Sequence, residues 1–487
     1  MTNSSKHEVL KSALIGLVAL GALVLWLKFQ PRLPDVKPQE KIGQKLFEKF
    51  NDMEQMTKIE FVGVDPATGE TRSLALTRSG DEWVLPSMSN FPAGNSRRLA
   101  KVVAPLMQLS ILSAIDSKNA SANARQITTL HQECGLLNPV NFVPSVAPRG
   151  EDTPADAEEA PNLAQGAALA ITIEGESGEK LVDLLVGARA PESSATRDAR
   201  FVRLPNEDAV YTVDFTGDST QEEGTTEFTE FPNRISFNPI DWIDPDLLMI
   251  SRWDVLFLTS RDYQFNVGTK ESGFAVENFA SPGAAVFRQT PENSLSRVWS
   301  LTRRVDRSAD GGWQEVQRID PESANNEALN DAADALGALK IVDVRKKPEA
   351  LATIFMNGAH GSQLATQPES LADFGFATLD RDPLDPAQIE PMLGGEGGAI
   401  DLVMKNGIKI TLVFGRKFDD KRACLATSFF DKEALAQAAE DESEIALLAP
   451  EAQRKAALKN ERFAKWFYLI EEESYQKIKF RMKDVLK

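Results

Sequence analysis

The stretch "AIDLVMKNGIKITLVFGRKF", Ala399 to Phe418, decides how this chain is built, because an earlier stretch has the same form. "ALAITIEGESGEKLVDLLVGARA", Ala168 to Ala190, also alternates apolar and polar residues on either side of a Gly turn. Both stretches close on a Gly followed soon by Arg. Alternation with period two marks strands, and a Gly turn between two such runs marks a hairpin. The two hairpins superpose at an offset of 228 or 229 residues.

Working outward, the same offset persists. Trp83 falls on Trp313, and Leu99, Leu106, Leu109 and Ile111 fall on Leu329, Leu336, Leu339 and Ile341, every pair 230 residues apart. "CGLLNP" resembles "FGFATLDRDP", with an insertion between its Gly and its Pro. One order of elements occurs twice: strands, a Trp strand, a helix, a Gly-apolar turn leading to Pro, and a hairpin. The strands of the first copy read "KIEFVGVD", "TRSLALTRSG" and "EWVLP". Its helix, "NSRRLAKVVAPLMQLSIL", gathers its apolar residues on one face and is expected to kink or shorten at Pro105. Trp83 and Trp313 read as core residues. The expected fold is α+β, two tandem repeats of an antiparallel sheet with a packed helix, preceded by one N-terminal transmembrane helix.

Residues 58–215 form repeat unit one and 251–430 repeat unit two, joined by a connector at 216–250. The segment 145–166 is Pro-, Ala- and acid-rich without periodicity, which predicts a mobile excursion. In unit two the early strands expand around "NFASPGAAVF". Residues 30–57 read as a Pro-punctuated stalk followed by a short polar helix, roughly Lys41 to Met53. Residues 431–487 read as a helical C-terminal tail, with "NERFAKWFYLIEEESYQKIKF" as a packing or partner helix.

A length of 487 residues suggests two or three domains, and 42% hydrophobic with 26% charged residues is an ordinary globular composition. The formal net charge of −18 disfavours nucleic acid as a partner, since a polyanion is bound by clustered cations. From Ala13 to Leu27 no residue is charged or strongly polar. A span needs roughly 17 to 25 residues, so this run is short unless Lys28 snorkels outward. A cleaved signal peptide is the rival reading, but no small-x-small cleavage site follows. The expectation is an uncleaved signal anchor at 12–29, with residues 1–11 cytoplasmic and the large domain periplasmic on a single-pass inner-membrane protein.

The search for chemistry singles out little. Only His7, His131 and His360 occur, and His131 with Cys134 makes an H-x-x-C pair with nothing nearby to complete a metal site. Cys134 and Cys424 are far apart in sequence and read as two buried free thiols, although one bridge stays open as an alternative. "LGGEGGAI" opens a strand rather than a helix, so it is a turn and not a phosphate cradle. Asp380, Asp382 and Asp385 lack the Gly and the final Glu of a calcium loop and read as a polar loop. "DFG" at Asp373 to Gly375 stands alone. No catalytic, cofactor-binding or metal residue is assigned, and no cofactor is expected.

In its N-terminal anchor, "KIEF", the turn and strand of "GDEWVL", "FPAGNSRRLAKVVAPLMQL", "CGLLNP", and "LLVG" followed by "ARFVRL", the chain resembles the domain-of-unknown-function 4340 family. The resemblance covers residues 58–215 well and unit two more loosely. It implies a membrane-anchored bacterial protein, often encoded beside ABC-2-type permeases and gliding-type auxiliary subunits, and it brings no catalytic residues. The expected function is a non-enzymatic extracytoplasmic accessory or scaffold subunit whose partner is an ABC-type permease or auxiliary subunit. The alternatives are an envelope hydrolase or sugar-binding enzyme, and a self-associating structural envelope protein.

Overall fold

The computed structural model describes residues 37–487 except 95, 116–123, 145–161, 217–228, 292–295, 360, 381, 383, 385–390, 440 and 480. The expected anchor at 12–29, the N-terminal residues 1–11 and most of the acidic insertion lie outside the described residues. Among the described residues no helix is long and apolar enough to cross a membrane.

The fold is α+β, with two nine-stranded antiparallel sheets. The first contains β1 (Met56–Val64), β2 (Thr71–Ser79), β3 (Glu82–Leu85), β4 (Phe91–Pro92), β5 (Ile111–Ile115), β6 (Leu169–Gly175), β7 (Lys180–Arg189), β8 (Ala199–Arg203) and β9 (Val210–Asp214). Its order is β4-β3-β2-β1-β6-β7-β8-β9-β5. The second contains β10 (Val255–Val267), β11 (Val276–Pro291), β12 (Arg297–Arg307), β13 (Trp313–Glu315), β14 (Asp343–Lys346), β17 (Ala399–Met404), β18 (Ile408–Phe418), β19 (Lys421–Phe430) and β20 (Trp466–Glu471). Its order is β13-β12-β11-β10-β17-β18-β19-β20-β14. Numbered within its own sheet, each follows the same permutation, 4-3-2-1-6-7-8-9-5. A two-stranded sheet, β15 (Phe376–Leu379) with β16 (Met392–Gly395), is inserted in the second half.

Register repeats along with order. β6 and β7 place Thr172 opposite Asp183, and β17 and β18 place Asp401 opposite Thr411, the positions predicted by the offsets of 229 and 228. Gly178 and Gly407 turn these hairpins at φ of 78° and 77°, a left-handed conformation in which a β-carbon is strained. The first repeat's helices are α1 (Ser96–Gln108) and α2 (Ala124–Glu133), and α3 (Asn326–Gly337) repeats α1. Leu99, Leu106, Leu109 and Ile111 and their partners Leu329, Leu336, Leu339 and Ile341 are each no more than 4% exposed. Pro105 lies in the last turn of α1, which ends at Gln108.

Three expectations are corrected. Lys41 to Met53 is not a helix; only short 3₁₀ turns occur, at Pro38–Lys41 and Met53–Gln55. Gly43, at φ 85°, breaks the run, and the backbone there bonds to a strand instead, Gly43 N to Ile111 O and Leu46 N to Leu109 O, both at 2.8 Å. Within the tail, Trp466–Glu471 is strand β20, hydrogen-bonded between β19 and β14. Trp466 to Ile470 are all buried, and a strand covered on both faces reads as an unbroken apolar run that mimics a core helix. Trp83 and Trp313 are half-buried rather than core residues. Each faces an Arg across a hairpin, Arg78 and Arg307, but Trp83 stands on the third strand of its sheet and Trp313 on the fourth. The longer early strands of the second repeat place one more strand ahead of its Trp hairpin.

The chain divides into two compact units: the described residues up to Ser73 with those of Ala100–Ile235, and Leu74–Leu99 with Ser236–Lys487. The division cuts the first repeat, so its β3–β4 arm belongs to the second unit, where Phe91 meets Trp466 edge-on at 5.1 Å. In that unit α4 (Glu349–Met356), α5 (Gly361–Leu364), α6 (Pro368–Ala372) and the small sheet form one core with the strands, joining Leu351, Phe355, Leu364 and Phe376 to Tyr263, Val413 and Leu425. The remaining helices are α7 (Lys432–Ala438), α8 (Glu442–Ala464), α9 (Glu472–Ile478) and α10 (Met482–Val485).

Candidate functional site

One face of β10 carries Thr259, Arg261, Tyr263 and Phe265 at every second position, because successive strand residues alternate faces. The ladder continues Thr259 into a polar row, with Thr259 opposite Asp401, Asp401 opposite Thr411, and Thr411 opposite Thr427. Arg261 lies beside this row and is almost wholly buried. A buried cation persists only when paired. Arg261 is doubly paired: Nη2 donates to Asp382 Oδ2 at 2.9 Å and Nε to Asp382 Oδ1 at 3.3 Å, while Nη1 donates to Asp401 Oδ2.

The second shell is equally specific. Thr411 Oγ1 donates to Asp401 Oδ1 at 2.7 Å, and Lys409 Nζ lies 3.9 Å from Asp401 Oδ2. The Leu384 amide donates to Asp382 Oδ1 at 2.9 Å. Burial alone would push the Asp401 carboxyl up, but Arg261, then Lys409 and the Thr411 hydroxyl, outweigh it and hold the carboxyl below its ordinary value. Burial likewise presses Arg261 down, and Asp401 with Asp382 more than reverses it. The cluster borders a half-open cavity of about 270 Å³ that also touches Thr427, Gly358 and Gly361. Two cations face two carboxylates, so the network is formally neutral. Its chemical capacity is hydrogen bonding at Lys409 and the threonines. A metal would have to displace Arg261 from both carboxylates, and among the described residues no group of three or more metal-ligating side chains is assembled.

The residues weighed from the sequence are dispersed. His131 Nε2 lies 3.0 Å from the Asp208 carbonyl oxygen, and burial pushes its imidazole below the ordinary value. Cys134 and Cys424 are both free and buried, one packed with Leu136 and Leu185, the other inside β19. His7 and His360 lie outside the described residues, as do Asp385 and the rest of its loop through residue 390. The Gly-rich run is strand β16 and a turn, with Glu396 bound to Arg416 at 2.8 Å. Asp373 to Gly375 is also a turn. Only Asp382 of the expected polar loop enters the cluster.

Residues 83–356, just over half the chain, match the family described as Domain of unknown function (DUF4340). The chain belongs to the DUF4340 family. No curated protein and no solved structure matches it. In this DUF4340 chain the charge cluster was missed from the sequence, but signals for it existed. Arg261 occupies an inward position in "FLTSRDYQF", and Asp401 an inward position in "AIDLVM", in strands otherwise built for burial. Two opposite charges at buried strand positions predict one another.

Proposed function

We propose that this DUF4340 chain is a non-enzymatic, membrane-anchored accessory or scaffold subunit on the extracytoplasmic side, working with an ABC-type transport or envelope complex. The observation that carries the reading is how the candidate site is used: every nitrogen of Arg261 faces a carboxylate of its own chain. That arrangement ties Asp382 to β10 and leaves no charge poised for acid–base work, which needs a group matched to a substrate proton. The duplicated sheet offers two related surfaces, which suits docking. The anchor expected at residues 12–29 would hold those surfaces near the bilayer and raise their effective concentration toward a membrane partner such as an ABC-type permease or its auxiliary subunit.

The test is a pull-down of the full anchored chain from gently solubilised membranes. The expected result is a membrane protein that co-purifies in fixed proportion. Recovery of the chain alone, together with turnover of an envelope polymer that disappears in Asp382→Asn, would replace the scaffold by the envelope hydrolase.

A further inference from the structure

A second cavity in the same unit, about 640 Å³, opens between α8, the turn that ends α4, and strand β19. Its walls are Phe429, Phe430, Met356 and Ala457. Its polar groups are Asn357, Gln453 and Ser428. None of its ten lining residues is charged, in a chain with 26% charged residues. Asn460 fixes the floor, with Oδ1 accepting from the Ser428 amide at 3.1 Å and Nδ2 donating to Phe355 O at 3.1 Å. Ser428 Oγ, by contrast, is buried without a hydrogen-bond partner among the described residues. A buried hydroxyl left unmatched destabilises a fold by about 1–3 kcal/mol, so its retention needs a reason.

We propose that this cleft receives a short, extended, uncharged peptide segment of a partner protein, with one large apolar side chain lodged between Phe429, Phe430 and Met356. The proposal rests on the docking function above and names its surface. The absence of charge in the lining selects a neutral occupant, because a charge entering it would lose water and gain no counter-charge. Primary amides select a peptide over an acyl chain. Asn357 and Gln453 each offer a donor and an acceptor that match the two groups of a peptide bond, whereas a hydrocarbon would leave both amides and the hydroxyl unmatched. Apolar walls with a few convergent polar groups are the ordinary form of a specific pocket.

The test places a benzophenone amino acid at Gln453 in the full chain and irradiates native membranes. The expected adduct maps to one uncharged segment of one partner. That segment, made as a synthetic peptide, binds the purified full-length chain. Ala457→Trp, which fills the cleft from the exposed side of α8, weakens the peptide at least tenfold without lowering the melting temperature. Ser428→Ala raises the melting temperature yet weakens the peptide severalfold, a split that a purely structural serine would not give. A lipid adduct, an adduct in a charged segment, or peptide binding unchanged in Ala457→Trp overturns the proposal. If a membrane partner still co-purifies with Ala457→Trp at full yield, the cleft fails while the scaffold function stands.

Discussion

The α-carbon of Gly415 lies so close to the carbonyl of Phe374 that a β-carbon there would sit 2.1 Å from the oxygen. The contact closes with a hydrogen bond from Arg416 N to Phe374 O at 2.8 Å. The first repeat builds the same joint from different residues: a β-carbon on Gly187 would meet Cys134 O at 2.2 Å, and Ala188 N donates to that oxygen at 2.9 Å. In each, the following turn glycine, Gly375 or Gly135, has φ of 75° or 68°. The Gly that ends the "LLVG" and "LVFG" strands is therefore set by close backbone approach, and the joint locks the turn after the repeat's helices onto its seventh strand.

Replacing either strand glycine by Ala should accordingly destabilise by at least about 3 kcal/mol, at the upper end of overpacking, because the obstacle is a hydrogen-bonded carbonyl and not a movable side chain. Gly178→Ala is the control. A β-carbon at Gly178 meets nothing within 4 Å, so only its positive φ matters, at about 1–2 kcal/mol. Urea melts of the three variants test the order, and equal losses in all three would remove the argument from close approach.

Leu106 and Leu336 occupy matching helix positions and are 1% and 0% exposed. Truncating either to Ala should lower stability by about 2–5 kcal/mol through lost transfer energy and the cavity left behind. The comparison that matters is with Leu447 on α8, which is 78% exposed and should tolerate Ala within about 0.5 kcal/mol. Denaturation midpoints at constant slope provide the measurement.

What could be read ahead of the structure was whatever has a local cause. Hairpins show in alternation and a turn glycine, so the offset of Gly187 and Gly415 exposed the duplication. The helix positions followed from their period. β20 was hidden because a strand buried on both faces has no alternation, and a run of Trp, Phe, Tyr, Leu and Ile suits a helix as well. The Trp83–Trp313 pairing was right about the hairpin and wrong about the strand, since local sequence does not count strands between a hairpin and the sheet centre. Arg261, Asp382 and Asp401 escaped for a third reason: their meeting depends on tertiary contact across 140 residues, and only their inward strand positions hinted at it.

Asp401 makes an acid-side prediction. Its folded carboxyl lies below the ordinary aspartate value of about 3.9. A depressed carboxyl contributes stability that is present above the unfolded value and is lost as pH falls through the folded one. Asp401→Asn should therefore be less stable than the parent by about 3 kcal/mol or more at pH 6, since it leaves Arg261 short of a counter-charge. The gap should narrow as pH falls below about 4 and the parent's own carboxyl is protonated. Paired urea melts from pH 6 to pH 3 measure it, and a gap independent of pH would mean that the ion pair contributes nothing.

Lys347 makes the opposite prediction, on the alkaline side. It is 2% exposed, its Nζ donates to the carbonyl oxygens of Phe463 at 2.9 Å and Trp466 at 2.6 Å, and it lies 4.2 Å from the centre of the Phe355 ring. No carboxylate is among these contacts. Burial pushes its amine well below the ordinary lysine value. Between that depressed value and the unfolded one, about 10.4, the unfolded chain holds a proton that the folded chain lacks, so the parent gains stability as pH rises. Lys347→Met removes that term. Its loss of two hydrogen bonds, about 1 kcal/mol each, shifts the whole curve and not its slope. The stability of Lys347→Met relative to the parent should thus be highest at neutral pH and fall steadily toward pH 10. Taking the difference at each pH cancels the buried Cys424 thiol, which burial pushes up and which titrates in both proteins. A difference that stays constant from pH 6 to pH 10 would show that Lys347 keeps its proton inside the fold, held by the two carbonyls and the aromatic ring.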